Sequence, residues 1–262
     1  MTVIVVSHNQ SVLDKMYHVI DLAKDSRECE VRMREYFKVN YFDLGMHQGQ
    51  EIDAVVKMMR QNLMISQLNI YGIDANPLYY ERALQKYKDH DRVKFHLFHF
   101  AVASTNGRTK LYFHPDDLGH SIYPDKWRVT SEGIEVPCMK FSDWLKRVSQ
   151  KDERTFNILK ANIEGAEWDL VNDLHQNGLL GYFDLYLGSQ PGRFSDIAKI
   201  TSLREGGALE KHHEILTRNH IGIRQFCHSR PNHQDNVDLN RELTRYASKL
   251  VRSDKVETTT TA

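Results

Sequence analysis

Between Tyr41 and Gln50 the chain passes from an apolar run through two glycines into a helical pattern, and a second apolar run, Asn69 to Asp74, ends in an acid. That order of parts constrains the fold more than any other feature of the 262 residues. A parallel strand delivers its carboxyl end to a turn, small residues let the backbone approach a ligand, and the next helix points its amino end at the same place. An acid closing the following strand can hold two ribose hydroxyls. Asp74 stands thirty-one residues after Asp43, and Asp43, Gly45 and Gly49 spell D-x-G-x-x-x-G. The G-x-G-x-x-G of dinucleotide sites is missing, which argues for a cofactor without a pyrophosphate. S-adenosylmethionine is the commonest of these.

From Tyr41 onward, strand and helix patterns alternate. Ile52, Val55, Val56, Met59 and Leu63 recur at helical spacing and predict one apolar face turned to a sheet. Asn76-Pro77 predicts a helix start, because a proline at an early helical position gives up an N–H that has no partner there. Val93 to Ala103 reads as one long strand, Asn106-Gly107 as a hairpin-type turn, and Lys110 to His114 as a further strand. Residues 115–133 read as a polar, aromatic-bearing loop, either a cover for a ligand or a surface excursion. Glu135–Met139, Phe156–Ala161, Tyr182–Leu187 and Ile221–Phe226 are expected strands, with helices opening at Ser142, after Glu167 and at Ala208. Residues 1–38 are expected to be a lead-in, 39–251 the main domain and 252–262 a disordered tail.

Composition narrows the class. Lys plus Arg and Asp plus Glu both total 35, so no net field recruits nucleic acid or an anionic membrane. The apolar runs are too short to span a bilayer. The three cysteines, Cys29, Cys138 and Cys227, are scattered and show no C-x-x-C, as expected of free thiols in a cytoplasmic protein. His212-His213 and Cys227-His228 with His233 match no zinc spacing, so no metal site is expected, although a divalent ion is compatible with the chemistry.

Three landmarks now stand in order: F-D-L-G-M-H-Q-G at 42–49, G-I-D-A-N-P at 72–77 and L-K-A-N-I-E-G-A-E at 159–167. Together with A-V-A at 101–103 and P-C-M-K-F-S-D-W-L at 137–145, they resemble the FkbM family of S-adenosylmethionine-dependent methyltransferases. The resemblance covers roughly residues 40–190, and the E-G-A-E segment is its family-specific part. It implies an α/β, Rossmann-like, seven-stranded class I methyltransferase fold, a mostly parallel sheet with helices on both faces. It also implies O-methylation of a sugar or sugar-containing metabolite. Asn162 stands where the family usually has Asp, and His47 where a small or amide residue is common.

The expected cofactor contacts are Asp43, Gly45, Met46, His47, Gly49, Asp74, Ala75, Asn76 and Ala101. Asn162 can orient a hydroxyl but cannot take its proton. Glu164 is therefore the first candidate for the base, with His120 or His114 from the loop as alternatives. Glu164 and Glu167 have a plainer reading as charges that complement a helix dipole. Lys160, a charge inside an apolar strand, is expected to pair with one of them. Two other classes stay open: a nucleotide-binding module without transfer chemistry, and a nicotinamide-dependent oxidoreductase. The latter is opposed by the glycine pattern and by the lack of a Tyr-x-x-x-Lys pair.

Overall fold

The computed structural model describes residues 37–62, 65–89, 92–148, 154–188, 194, 196–208, 210–211, 214–215, 222–224, 243 and 246. Residues 1–36, the tail from 252, and the sites at His212, His213, Cys227, His228 and His233 lie outside the described residues. Along the chain come β1 (Phe37–Leu44), α1 (Gln50–Gln61), β2 (Ile65–Asp74), α2 (Pro77–Lys86), β3 (Val93–His99), β4 (Ala101–Val102), β5 (Gly107–Tyr112) and β6 (Gly133–Met139). Then follow α3 (Phe141–Val148), β7 (Thr155–Ala161), α4 (Glu167–Gln176), a 3₁₀ turn (Leu180–Tyr182), β8 (Leu185–Gly188), α5 (Ala198–Glu205) and β9 (Gly222–Arg224).

Six of the strands form one parallel sheet in the order β3-β2-β1-β7-β8-β9. The two central strands explain themselves chemically. Every residue of β7 is buried, and every residue of β1 except Lys38, as a strand covered on both faces requires. On one face Phe42 and Leu44 pack with Trp144 and Leu145 of α3 and with Leu170, Val171 and Leu174 of α4. On the other, the turn after β1 comes so close to β2 that a Cβ on Gly72 would stand 2.7 Å from Met46 Sδ, with Ile52 Cδ1 of α1 at an ordinary 3.6 Å. The result is a Rossmann-like α/β layer structure. Successive strands run outward one way from β1 and the other way from β7. The crevice between the carboxyl ends of β1 and β7 is therefore the topological switch point where such sheets bind ligands.

An amide ladder ties the central strands together. Asn40 stands in register with Asn69 on β2 and Asn157 on β7. Asn69 Nδ2 donates to Asn40 Oδ1 (2.8 Å), and Asn40 Nδ2 to Asn157 Oδ1 (2.9 Å). A slip of one residue would break the ladder and turn the core side chains to the wrong face. Asn40→Leu keeps the size but strands an amide on each neighbour, so denaturant unfolding should show a loss of about 1–3 kcal/mol. A loss within error of zero would remove the ladder from the account of register.

Several expectations change. The lead-in does not extend to 38, because Phe37 and Lys38 open β1. The long strand from Val93 breaks at Phe100, whose N–H donates to Asp74 O, and continues as β4 in a second sheet of order β4-β6-β5. Asn106-Gly107 is thus no hairpin, since β5 pairs with β6 rather than with β4. The fifth parallel strand starts at Leu185, Tyr182 having been taken by the 3₁₀ turn. The main sheet shows six strands among the described residues, not seven.

Candidate functional site

The turn after β1 is built on glycine. Gly45 has φ +77°, and a Cβ there would lie 2.2 Å from the Asn162 carbonyl oxygen, so only glycine lets this turn rest against the end of β7. Four of the turn's N–H groups are engaged inside the fold. Gly45 N and Met46 N donate to Ile73 O, Gly49 N to Met46 O (2.8 Å), and His47 N to Asp74 Oδ2 (2.8 Å). Asp74 Oδ1 accepts from Asn76 N, also at 2.8 Å, while the Asn76 side chain caps α2 through Leu78 N. Asp74 thereby pins both loops of the crevice, and burial lifts its pKa above the ordinary carboxylate value against the pull of those two N–H groups.

Over this crevice lies a cavity of about 280 Å³. The sheet contributes Gly45, Lys160 and Asn162, and the β2 side contributes Glu51, Asp74 and Tyr79. Ala101 and Val102 form an apolar wall, and the covering loop brings Asp117, His120 and Ser121. Glu51, Asp74, Asp117 and Glu164 supply four carboxylates to the lining, against a single lysine and no arginine among the described residues.

At the cavity floor Lys160 belongs to a buried ion pair. Lys160 Nζ donates to Asp43 Oδ1 (2.7 Å) and to Gly45 O (2.8 Å), with Lys160 2 % exposed and Asp43 0 %. Burial pushes the Asp43 carboxyl up to about 7, although the Lys160 ammonium pulls it down. For Lys160, burial works against the charge, but Asp43, Glu51 and Asp74 together outweigh it and hold the ammonium above its ordinary value. Asp43 Oδ2 has no hydrogen-bond partner among the described residues.

The loop from 113 to 132 is fastened at several points. Asp117 O accepts from Tyr79 Oη (2.8 Å) and His47 Nε2 (3.1 Å), and Ser121 Oγ donates to Glu164 O (2.8 Å). Lys126 Nζ lies 3.0 Å from Glu164 Oε2 and donates to Gly119 O (2.6 Å). Trp127 N donates to Asp196, and Tyr123 Oη to Asp169 Oδ2 (2.6 Å). Among the described residues four other than glycine have positive φ, and three of them, His47, Asp117 and Glu164, line the cavity. Strain of this kind persists where the surroundings over-determine it and gathers at ligand sites.

Of the residues marked in the sequence, Gly45, His47, Asp74, Ala75, Asn76, Ala101, Asn162, Glu164 and His120 come together around the cavity. Three do not line it. Met46 is fully buried against β2, Gly49 faces the Tyr87 ring, and Asp43 lies under Lys160. Lys160 therefore pairs with Asp43, not with Glu164 or Glu167. Glu167, 0 % exposed, accepts from Ile163 N (3.0 Å) and Gly165 N (2.8 Å) and so closes the turn before α4. His120 Nδ1 accepts from His114 N (2.9 Å) and its Nε2 faces Asp117 Oδ1 (3.4 Å), while burial lowers its pKa despite Asp117. Glu51 and Tyr79 escaped sequence reasoning. The only signal for Glu51 was its place in the first turn after the glycine loop.

No family model matches the chain, and no curated protein does. A solved structure with some similarity is that of methyltransferase FkbM from Methylobacillus flagellatus KT, at 16% identity and a TM-score of 0.38. The likeness covers 69% of this chain and 37% of that one, so the chain spans little more than a third of that protein's length.

Proposed function

We propose that this chain is an S-adenosylmethionine-dependent methyltransferase acting on a hydroxyl of a sugar or sugar-containing metabolite. The observation that carries the reading is the charge of the switch-point cavity. Its lining holds four acidic residues against one lysine, and four N–H groups of the glycine turn are already engaged. A dinucleotide would set two phosphate charges against those acids, whereas a sulfonium nucleoside brings positive charge to them. Each Asp74 oxygen accepts one backbone N–H and keeps a lone pair for a ribose hydroxyl. Ala101 and Val102 offer an apolar wall for a base, and Glu51 a partner for an ammonium. The cofactor supplies a methyl group activated by the sulfonium charge; the protein's part is to hold an acceptor oxygen in line with it.

The acceptor class rests on the resemblance of the three sequence landmarks to the FkbM family. Methyl-labelled S-adenosylmethionine incubated with hexoses, methyl glycosides and non-carbohydrate alcohols should leave label preferentially on the carbohydrates. Label only on other alcohols would refute the acceptor class. A second reading, a nucleoside-binding module without transfer, draws on Asn162 in place of an acid and on the Lys126–Glu164 ion pair. It would be favoured by tight binding with no label transferred at all.

The covering loop provides a further expectation. Bound S-adenosylhomocysteine should slow amide exchange across residues 114–130, because Asp117 and Ser121 bridge from the loop to the cavity walls. Unchanged exchange would make the loop a fixed wall and not a lid.

A further inference from the structure

We propose that His47 is the general base of the site and that closure of the 113–132 loop sets its tautomer; this rests on the methyl-transfer reading. The inference starts from valence. The partner of His47 Nε2 is the Asp117 carbonyl oxygen, 3.1 Å away, which can only accept. Nε2 must therefore carry the proton, and in the neutral ring Nδ1 is then a bare lone pair. No hydrogen bond engages Nδ1 among the described residues, and the side chain lines the cavity.

The ring is held from three directions. The His47 main-chain N–H donates to Asp74, its ring packs on Tyr79 with centroids 4.2 Å apart, and Nε2 is tied to the loop. Its backbone sits at φ +49°, uncommon outside glycine, asparagine, aspartate and histidine. The Tyr79 hydroxyl donates to the same Asp117 oxygen, so loop, α2 and glycine turn meet at one carbonyl. When the loop lifts, that carbonyl leaves and either nitrogen can carry the proton. When it closes, only Nδ1 is open.

The rival groups are engaged. Glu164 is held by Lys126, and both His120 nitrogens face partners. Asp43 lies beneath Lys160, and the Asp74 oxygens, each accepting one backbone N–H, give their remaining lone pairs to the ribose hydroxyls in this reading. His114 Nδ1 accepts from Asp116 N (3.2 Å). Glu51 acts on the buried Asp43–Lys160 pair and is given to the cofactor's ammonium in this reading.

In the step itself the acceptor oxygen bonds to the methyl carbon, the carbon–sulfur bond breaks with its electron pair left on sulfur, and the hydroxyl proton passes to Nδ1. The resulting imidazolium faces Asp74 from β2, Asp117 and His120 from the loop, and Tyr79 from α2.

The test uses the full chain labelled with ¹⁵N-histidine, free and with S-adenosylhomocysteine, and needs no acceptor. Long-range nitrogen–proton spectra should show His47 protonated at Nε2 and bare at Nδ1 in the bound state. A proton on Nδ1 overturns the proposal. As a second arm, His47→Asn keeps a residue that tolerates positive φ but cannot take a proton. With a methyl glycoside as the probe acceptor it should lower turnover by about 10²–10⁴-fold and remove the acid limb of the pH profile. The variant keeps the main-chain N–H that donates to Asp74, and its S-adenosylhomocysteine affinity is measured alongside so that turnover is compared at saturating cofactor. Turnover in that variant within about threefold of the parent also overturns the proposal. If the parent fails to bind S-adenosylhomocysteine, the methyl-transfer reading falls first and takes this one with it; binding with the wrong tautomer removes His47 alone.

Discussion

Lys160→Met is expected to cost the fold about 3–5 kcal/mol, since it leaves the Asp43 carboxyl buried with no opposing charge. The size of the loss should depend on pH. Asp43 in the folded chain titrates at about 7, above the ordinary 3.8, so the native state binds the proton more tightly than the unfolded one. Its contribution to stability is then full below about pH 4 and is lost as the pH rises through 7. Removing the ammonium takes away the strongest influence that lowers the Asp43 pKa and moves its titration further up. The deficit of the variant should be smallest near pH 5, where both proteins carry a protonated Asp43, and largest above pH 7. Urea unfolding at pH 5 and pH 8 checks this. An equal deficit at both would mean that Lys160 acts through packing and not through its charge.

Gly45→Ala is the second large effect. The positive φ alone costs an L-residue about 1–2 kcal/mol. The new Cβ would meet the Asn162 carbonyl oxygen at 2.2 Å, a main-chain atom fixed by Asn162 N donating to Leu44 O. Such overpacking adds about 1–3 kcal/mol. Because Lys160 donates to Gly45 O, the same change disturbs the cavity floor, so nucleoside binding should fall together with stability. A variant that melts like the parent would show that the ends of β1 and β7 separate easily, and the close approach would lose its structural meaning.

What was legible in the chain was local. The glycine turn, Asp74 and the Asn76-Pro77 helix start are each written within a few consecutive residues, and the structure assembles them around one crevice. Lys160 was visible as an anomaly, but its partner was misread. Glu164 and Glu167 are near in sequence, whereas Asp43 lies 117 positions away and meets Lys160 only because β1 and β7 are neighbours. Neighbourhood in a doubly wound sheet is a property of strand order, which periodicity does not encode. The break at Phe100 was hidden for a related reason. The apolar run continues unbroken, and what ends β3 is a hydrogen bond to Asp74 O on another strand. Met46 was assigned to the ligand because the turn contains it, yet its side chain fills the space left by Gly72. The loop's fastenings, Asp117 to Tyr79 and Lys126 to Glu164, join segments with no sequence signature in common.

The acidic lining of the cavity is expected to favour a sulfonium nucleoside over a pyrophosphate. Titration calorimetry of the full chain with S-adenosylmethionine, S-adenosylhomocysteine and NAD at one ionic strength tests that claim most directly. The two adenosyl amino acids should bind and NAD should give no measurable heat. NAD binding as tightly as S-adenosylmethionine would contradict it.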